Sequence, residues 1–183
     1  TKPNICEITL TGEKGNNDWY KTNVKVELKA KDEMSGIKEK GLTTSSTAIY
    51  NNMTTSTQTE TSSVRWYGYV KDYSSNSTNC STPIFKVDTT PPTAPTGGTI
   101  AVSGTSKDAI VGEVGNSYDA TSGIEEYRYL IKINDSTVPK NTDKNFTTSR
   151  NFTRSCGSTY YAYAIAIDKA GNIGTATFTI DST

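Results

Sequence analysis

Val87-Asp88-Thr89-Thr90-Pro91-Pro92-Thr93-Ala94-Pro95 marks where this 183-residue chain passes from one module to the next. A β-type run, Ile84-Phe85-Lys86-Val87, leads into Asp-Thr-Thr and then into prolines that cannot continue a sheet. Proline fixes its own φ and pushes the preceding residue towards extended geometry, so the stretch reads as a short, semi-rigid spacer. The phrase recurs at the end, where Phe178-Thr179-Ile180-Asp181-Ser182-Thr183 repeats Phe85-Lys86-Val87-Asp88-Thr89-Thr90. At the start, Thr1-Lys2-Pro3 resembles Thr90-Pro91-Pro92. Two copies of one module are therefore expected, 1–90 and 91–183, taken from a longer array.

Working outward, the interior repeats in order. Ile8-Thr9-Leu10-Thr11-Gly12 returns as Ile100-Ala101-Val102-Ser103-Gly104, and Asp32…Ser35-Gly36-Ile37 returns as Asp119…Ser122-Gly123-Ile124. Trp66-Tyr67-Gly68-Tyr69-Val70-Lys71-Asp72 returns as Ala162-Tyr163-Ala164-Ile165-Ala166-Ile167-Asp168. Three anchors in one order make a repeat. The runs 24–30 and 127–133 alternate apolar and polar residues as half-buried strands do, and 5–10, 64–71 and 79–87 read as further strands. Short strands are expected near Ala48–Tyr50 and Thr57–Thr61. With about seven strands per half and no lasting helical period, the chain reads as all-β, each half a sandwich.

Composition narrows the function. Net charge is +0, which gives no basic field for nucleic acid or an anionic membrane. No apolar run is long enough to span a bilayer. Histidine is absent, which removes Ser-His-Asp and Cys-His catalysis and leaves zinc only scattered ligands. A non-enzymatic chain is expected, with no catalytic residue, no cofactor and no metal.

Two sets of side chains are candidates for a site. Asp32, Asp72, Asp119 and Asp168 stand at strand-to-turn boundaries, where a carboxylate can cap its own turn or contribute to calcium. Without a dense Asp-x-Asp cluster, capping is the expected role, and folding is expected not to require divalent metal. Tyr67 and Tyr69 lie on one strand face flanked by Arg65 and Lys71, a face read as solvent-side, and Tyr161 and Tyr163 occupy the equivalent face of the second module. An aromatic row can stack on sugar rings, or it can simply pack across strands. Asn-x-Ser/Thr at Asn52, Asn76, Asn79, Asn134, Asn145 and Asn151 is expected by chance in so polar a chain.

The set Asp-x-x-Ser-Gly-Ile, an aromatic strand ending in Asp168-Lys169-Ala170-Gly171-Asn172, and a strand ending in Asp88-Thr89-Thr90-Pro91-Pro92 resembles the bacterial immunoglobulin-like repeats of secreted and cell-surface proteins. The first module departs at Asp72-Tyr73-Ser74-Ser75-Asn76, which lacks the glycine. The resemblance implies two tandem immunoglobulin-like (fibronectin-III-like) β-sandwich domains joined by a short proline-rich linker, monomeric and extracellular. It implies a spacer or adhesive role with neighbouring repeats as partners. The alternatives are a carbohydrate- or host-protein-binding module and an accessory domain of a secreted enzyme. It also implies a rod, with termini at opposite poles, and a pairing for the cysteines. In such sandwiches part of the first strand runs parallel to the last, which can bring Cys6 and Cys80 into bonding range and leave Cys156 single. The second module offers Gly98 opposite Cys6 and no cysteine in its final strand.

Overall fold

Val24, Val26 and Leu28 are buried while Lys25 and Lys29 are exposed, the alternation of a strand with one wet face. The structure, a computed structural model, describes residues 1–102 and 108–182. Ser103-Gly104 and Thr183 of the repeated phrases lie outside them. The chain divides into two compact units, Thr1–Thr89 and Thr90–Thr183.

In the first unit β3 (Val24–Lys31) lies between β1 (Ile5–Thr11) and β5 (Thr55–Gln58), antiparallel to both. A second sheet orders β4 (Ile37–Thr43), β7 (Tyr67–Asp72) and β8 (Ser77–Ser81). A third places β9 (Phe85–Val87) between β6 (Thr61–Val64) and β2 (Trp19–Tyr20), and the β2–β9 pair is parallel. The core takes Val24, Val26 and Leu28 from β3, Leu42 from β4, and Trp66, Phe85, Val87 and Tyr20. Each fully buried aliphatic of this kind contributes roughly 1.5–3 kcal/mol of apolar burial, so β3 and its opposite numbers anchor the unit. The Trp66 indole N–H donates to Gln58 at 2.9 Å, so the ring is buried without an orphaned donor.

In the second unit β10 (Ile100–Val102), β11 (Asp108–Val111) and β13 (Asn151–Thr153) form one sheet. β12 (Ile124–Ile133), β14 (Thr159–Asp168) and β15 (Thr177–Ser182) form the other. Apart from β9, which lies with β2 and β6 in the first unit, both units put two early strands and a middle one in one sheet and three others in a second. Both are all-β, immunoglobulin-like sandwiches. Val111, Val114, Tyr129, Ala162 and Ala164 fill the core of the second unit.

Three expectations are corrected. The run 64–71 is not one strand: β6 ends at Val64 and β7 begins at Tyr67. The run 79–87 breaks around Pro83 into β8 and β9, which belong to different sheets, because proline cannot donate to a ladder. No strand forms at Ala48–Tyr50. The proline-rich stretch is also not bare. Thr93 N–H donates to Tyr118 O at 2.9 Å, Thr96 pairs with Gly115, and Pro92 and Pro95 are buried. Gly174 permits this seating, since a Cβ there would come within 2.5 Å of Pro92 O.

Candidate functional site

The same pair of carboxylate turns is built at one end of each unit. In the first, Asp32 Oδ1 accepts from the N–H groups of Ser35 at 2.7 Å, Gly36 at 2.8 Å and Met34 at 3.1 Å. Asp72, fully buried at the end of β7, accepts from Asn76 N–H at 2.8 Å and from its side-chain amide at 2.9 Å. Tyr73 N–H donates to Gly36 O at 3.2 Å and ties the two turns together. Burial pushes the Asp32 carboxyl up, but the N–H groups of Ser35, Gly36 and Met34 outweigh it and hold the group below its ordinary value. Burial likewise pushes Asp72 up, and the Asn76 amide, its backbone N–H and the Ser35 hydroxyl bring it lower on balance. Ser35 therefore serves both carboxylates.

The second unit copies this bond for bond. Asp119 Oδ1 accepts from Ser122 and Gly123 N–H at 2.8 Å each and from Thr121 N–H at 3.1 Å. Asp168, fully buried, accepts from Asn172 N–H and from its amide, both at 2.9 Å. Lys169 N–H donates to Gly123 O at 2.9 Å. Gly36 and Gly123 both take positive φ, 76° and 78°, which is why glycine follows the serine in each turn. A β-bulge follows at Ile37/Glu39 in one unit and Ile124/Glu126 in the other. The turn after β7 forms without its glycine: Ser75 adopts φ 66° where Gly171 adopts 90°.

The capping role expected of these aspartates is present in all four. The pairing of the turns was not foreseen. Oxygens of Asp119 and Asp168 lie within 4.8 Å of one another. The second oxygen of Asp119, Oδ2, is buried and accepts no hydrogen bond among the described residues. The sequence signal was the repeat of Asp-x-x-Ser-Gly with the later Asp-x-x-x-Asn, read as two turns and not as one site.

The tyrosine rows are not solvent-side. Tyr69 is 7% exposed and Tyr163 1%; Tyr67 and Tyr161 are half-buried. Tyr69 packs edge-on to Tyr50 at 6.5 Å and donates its hydroxyl to Ser46 O at 2.6 Å, so the segment after β4 covers this face. Tyr163 packs with Phe146 and Ile165 under the segment after β12. Burial pushes both phenols up. β7 and β14 are buried on both faces, and the charged residues beside Tyr67 and Tyr69 were a misleading guide.

Cys6 of β1 and Cys80 of β8 form a disulfide, with Cα atoms 5.7 Å apart. It joins the β1–β3–β5 sheet to the β4–β7–β8 sheet; the parallel pairing expected of the first strand with the last is made not by β1, which pairs antiparallel with β3, but by β2 with β9. Cys156 is a free, exposed thiol.

No family model and no curated protein matches the chain. Among solved structures it is similar to the fibronectin(III)-like modules of Clostridium thermocellum CbhA, at 11% identity and a TM-score of 0.38. That match covers 97% of this chain and 94% of the other.

Proposed function

We propose that this chain is a non-catalytic pair of immunoglobulin-like repeats serving as a structural spacer in a secreted or cell-surface bacterial protein, with neighbouring repeats as its partners. The observation that carries this reading is the duplicated architecture. Both units repeat the carboxylate turns, the bulge and a pair of three-stranded sheets, and their conspicuous polar side chains are engaged in holding that fold. The disulfide supports an oxidising exterior, because such bonds persist there and are rare in reducing compartments.

The test is a binding screen of the whole chain against a glycan array and against host extracellular-matrix proteins. A spacer gives no saturable binding. Saturable binding that Tyr67→Ala removes from a folded protein overturns the reading in favour of a recognition module, Tyr67 being the half-buried member of the stacked Tyr67–Tyr69 pair.

A further inference from the structure

We infer that the two units answer tension along the chain differently: the first is locked in length by Cys6–Cys80, and the second is the extensible one. The inference rests on the spacer reading, since a chain joined to neighbouring repeats is one that carries load. The bond holds the Cα atoms of Cys6 and Cys80 5.7 Å apart across a sequence separation of 74. Unravelled, a segment of that length would span about 250 Å. β2 to β7 lie wholly inside it, and among the described strands of this unit β9 alone lies wholly outside. Load passes from β1 through the two sulfurs into β8, and the core around Val24, Val26 and Leu42 is left unstretched.

The chain on either side of the bond is stitched down. Thr78 Oγ1 donates to Pro3 O and Asn76 Nδ2 to Thr1 O, each at 3.0 Å, so the entering segment is tied to β8 and the residues before it. On the leaving side Thr82 N–H donates to Trp66 O and Asp88 N–H to Tyr20 O, each at 2.9 Å. Only residues 1–5 and 81–89 can be drawn out while the bond holds.

The second unit keeps the register and lacks the bond. Gly68 pairs with Cys80, and its counterpart Ala164 pairs with Thr177, so Thr177 stands where Cys80 does. Gly98 takes the place of Cys6 in the repeat. Gly98, Ala164 and Thr177 line one hollow with Val111 and Val114, so the seam that the first unit bolts is open in the second. Cys156 is unbonded, and no covalent tie limits the extension of Thr90–Thr183. A chain of that length extends to about 300 Å.

The experiment stretches the whole chain in an optical trap, held by terminal tags, with and without a dithiol reductant. Exchange breaks the S–S bond, leaving two thiols in the protein and a disulfide in the oxidised reductant. The oxidised chain should give one long step of about 300 Å, with no more than about 50 Å released from the first unit. Reductant should add a second long step, enlarging the first unit's release by about 250 Å. Cys6→Ser with Cys80→Ser should do the same, and reductant added to the tethered, folded molecule decides the matter if that variant does not fold. Two long steps from the oxidised chain, or a single long step that reductant leaves unchanged, overturn the inference. The binding screen decides the spacer reading separately: saturable binding there removes the spacer and leaves the lock standing, and two long steps without binding do the reverse.

Discussion

Gly68 lies against the sulfur of Cys80: a Cβ at position 68 would come within 2.8 Å of Cys80 Sγ and 3.4 Å of Cys6 Sγ. The same atom would press to 2.6 Å on Leu28 Cδ1. β7 is thus bare of side chain where the disulfide and the core meet. Gly68→Ala overpacks that point, and the first unit should lose about 1–3 kcal/mol. Urea unfolding of the oxidised protein measures it. A silent substitution would mean that the bridge and Leu28 can both yield.

The bridge closes a loop with a sequence separation of 74. Cross-linking so long a loop stabilises by about 4 kcal/mol through the entropy of the unfolded chain. Calorimetry should show two transitions, of which reduction lowers only one. Cys6→Ser with Cys80→Ser should reproduce the shift, and the second unit should melt as before.

Ser75 and Gly171 occupy the same place in the two copies of one turn, at φ 66° and 90°. A left-handed conformation costs a non-glycine residue about 1–2 kcal/mol, part of which glycine forfeits in unfolded-state entropy. Ser75→Gly should therefore stabilise the first unit by about 0.5–1 kcal/mol, and Gly171→Ser should destabilise the second by a similar amount. Opposite signs at the two positions, read from denaturant midpoints, are the expected result.

Acid acts on the carboxylate turns. Asp32 and Asp72 titrate below the ordinary value of 3.8 in the folded unit. A depressed folded pKa stabilises wherever the pH lies above the unfolded value, so their contribution is complete above pH 3.8. It declines as the pH falls from there through the lowered folded values and is gone below them. Midpoints of the first unit measured from pH 6 down should bend in that window. Asp32→Asn should flatten the bend.

Tyr69→Ala should destabilise the first unit by about 3–5 kcal/mol, the range for emptying a buried aromatic site. Tyr67→Ala, at a half-buried position, should cost less. Thermal melts of the two variants give the order directly. Equal, small losses would return Tyr69 to the surface.

Alternation over 24–30 was enough to find β3 and its buried face, and the repeated Asp-x-x-Ser-Gly was enough to find both turns, because these signals are local. What covers a strand's second face is not local. Arg65 and Lys71 suggested water over Tyr67 and Tyr69, yet Tyr50, from a stretch without periodicity, lies over Tyr69. Pro83 was a local signal of the break between β8 and β9 that the reading of 79–87 as one strand passed over, since a ladder cannot run through it. The approach of Asp119 to Asp168 joins residues far apart in sequence, and only folding brings them together.

The Cys6–Cys80 bond also decides what a protease can accomplish. Residues 46–53 of the first unit are exposed without interruption, an open site for a backbone cut. They lie inside the ring that the disulfide closes, so a cut there yields two pieces still covalently joined. Residues 133–138 of the second unit are equally exposed, but Cys156 is unbonded and no covalent tie spans a break at that place. Nicked protein run on a denaturing gel would stay whole through the first unit until reductant is added, and separate at once through the second.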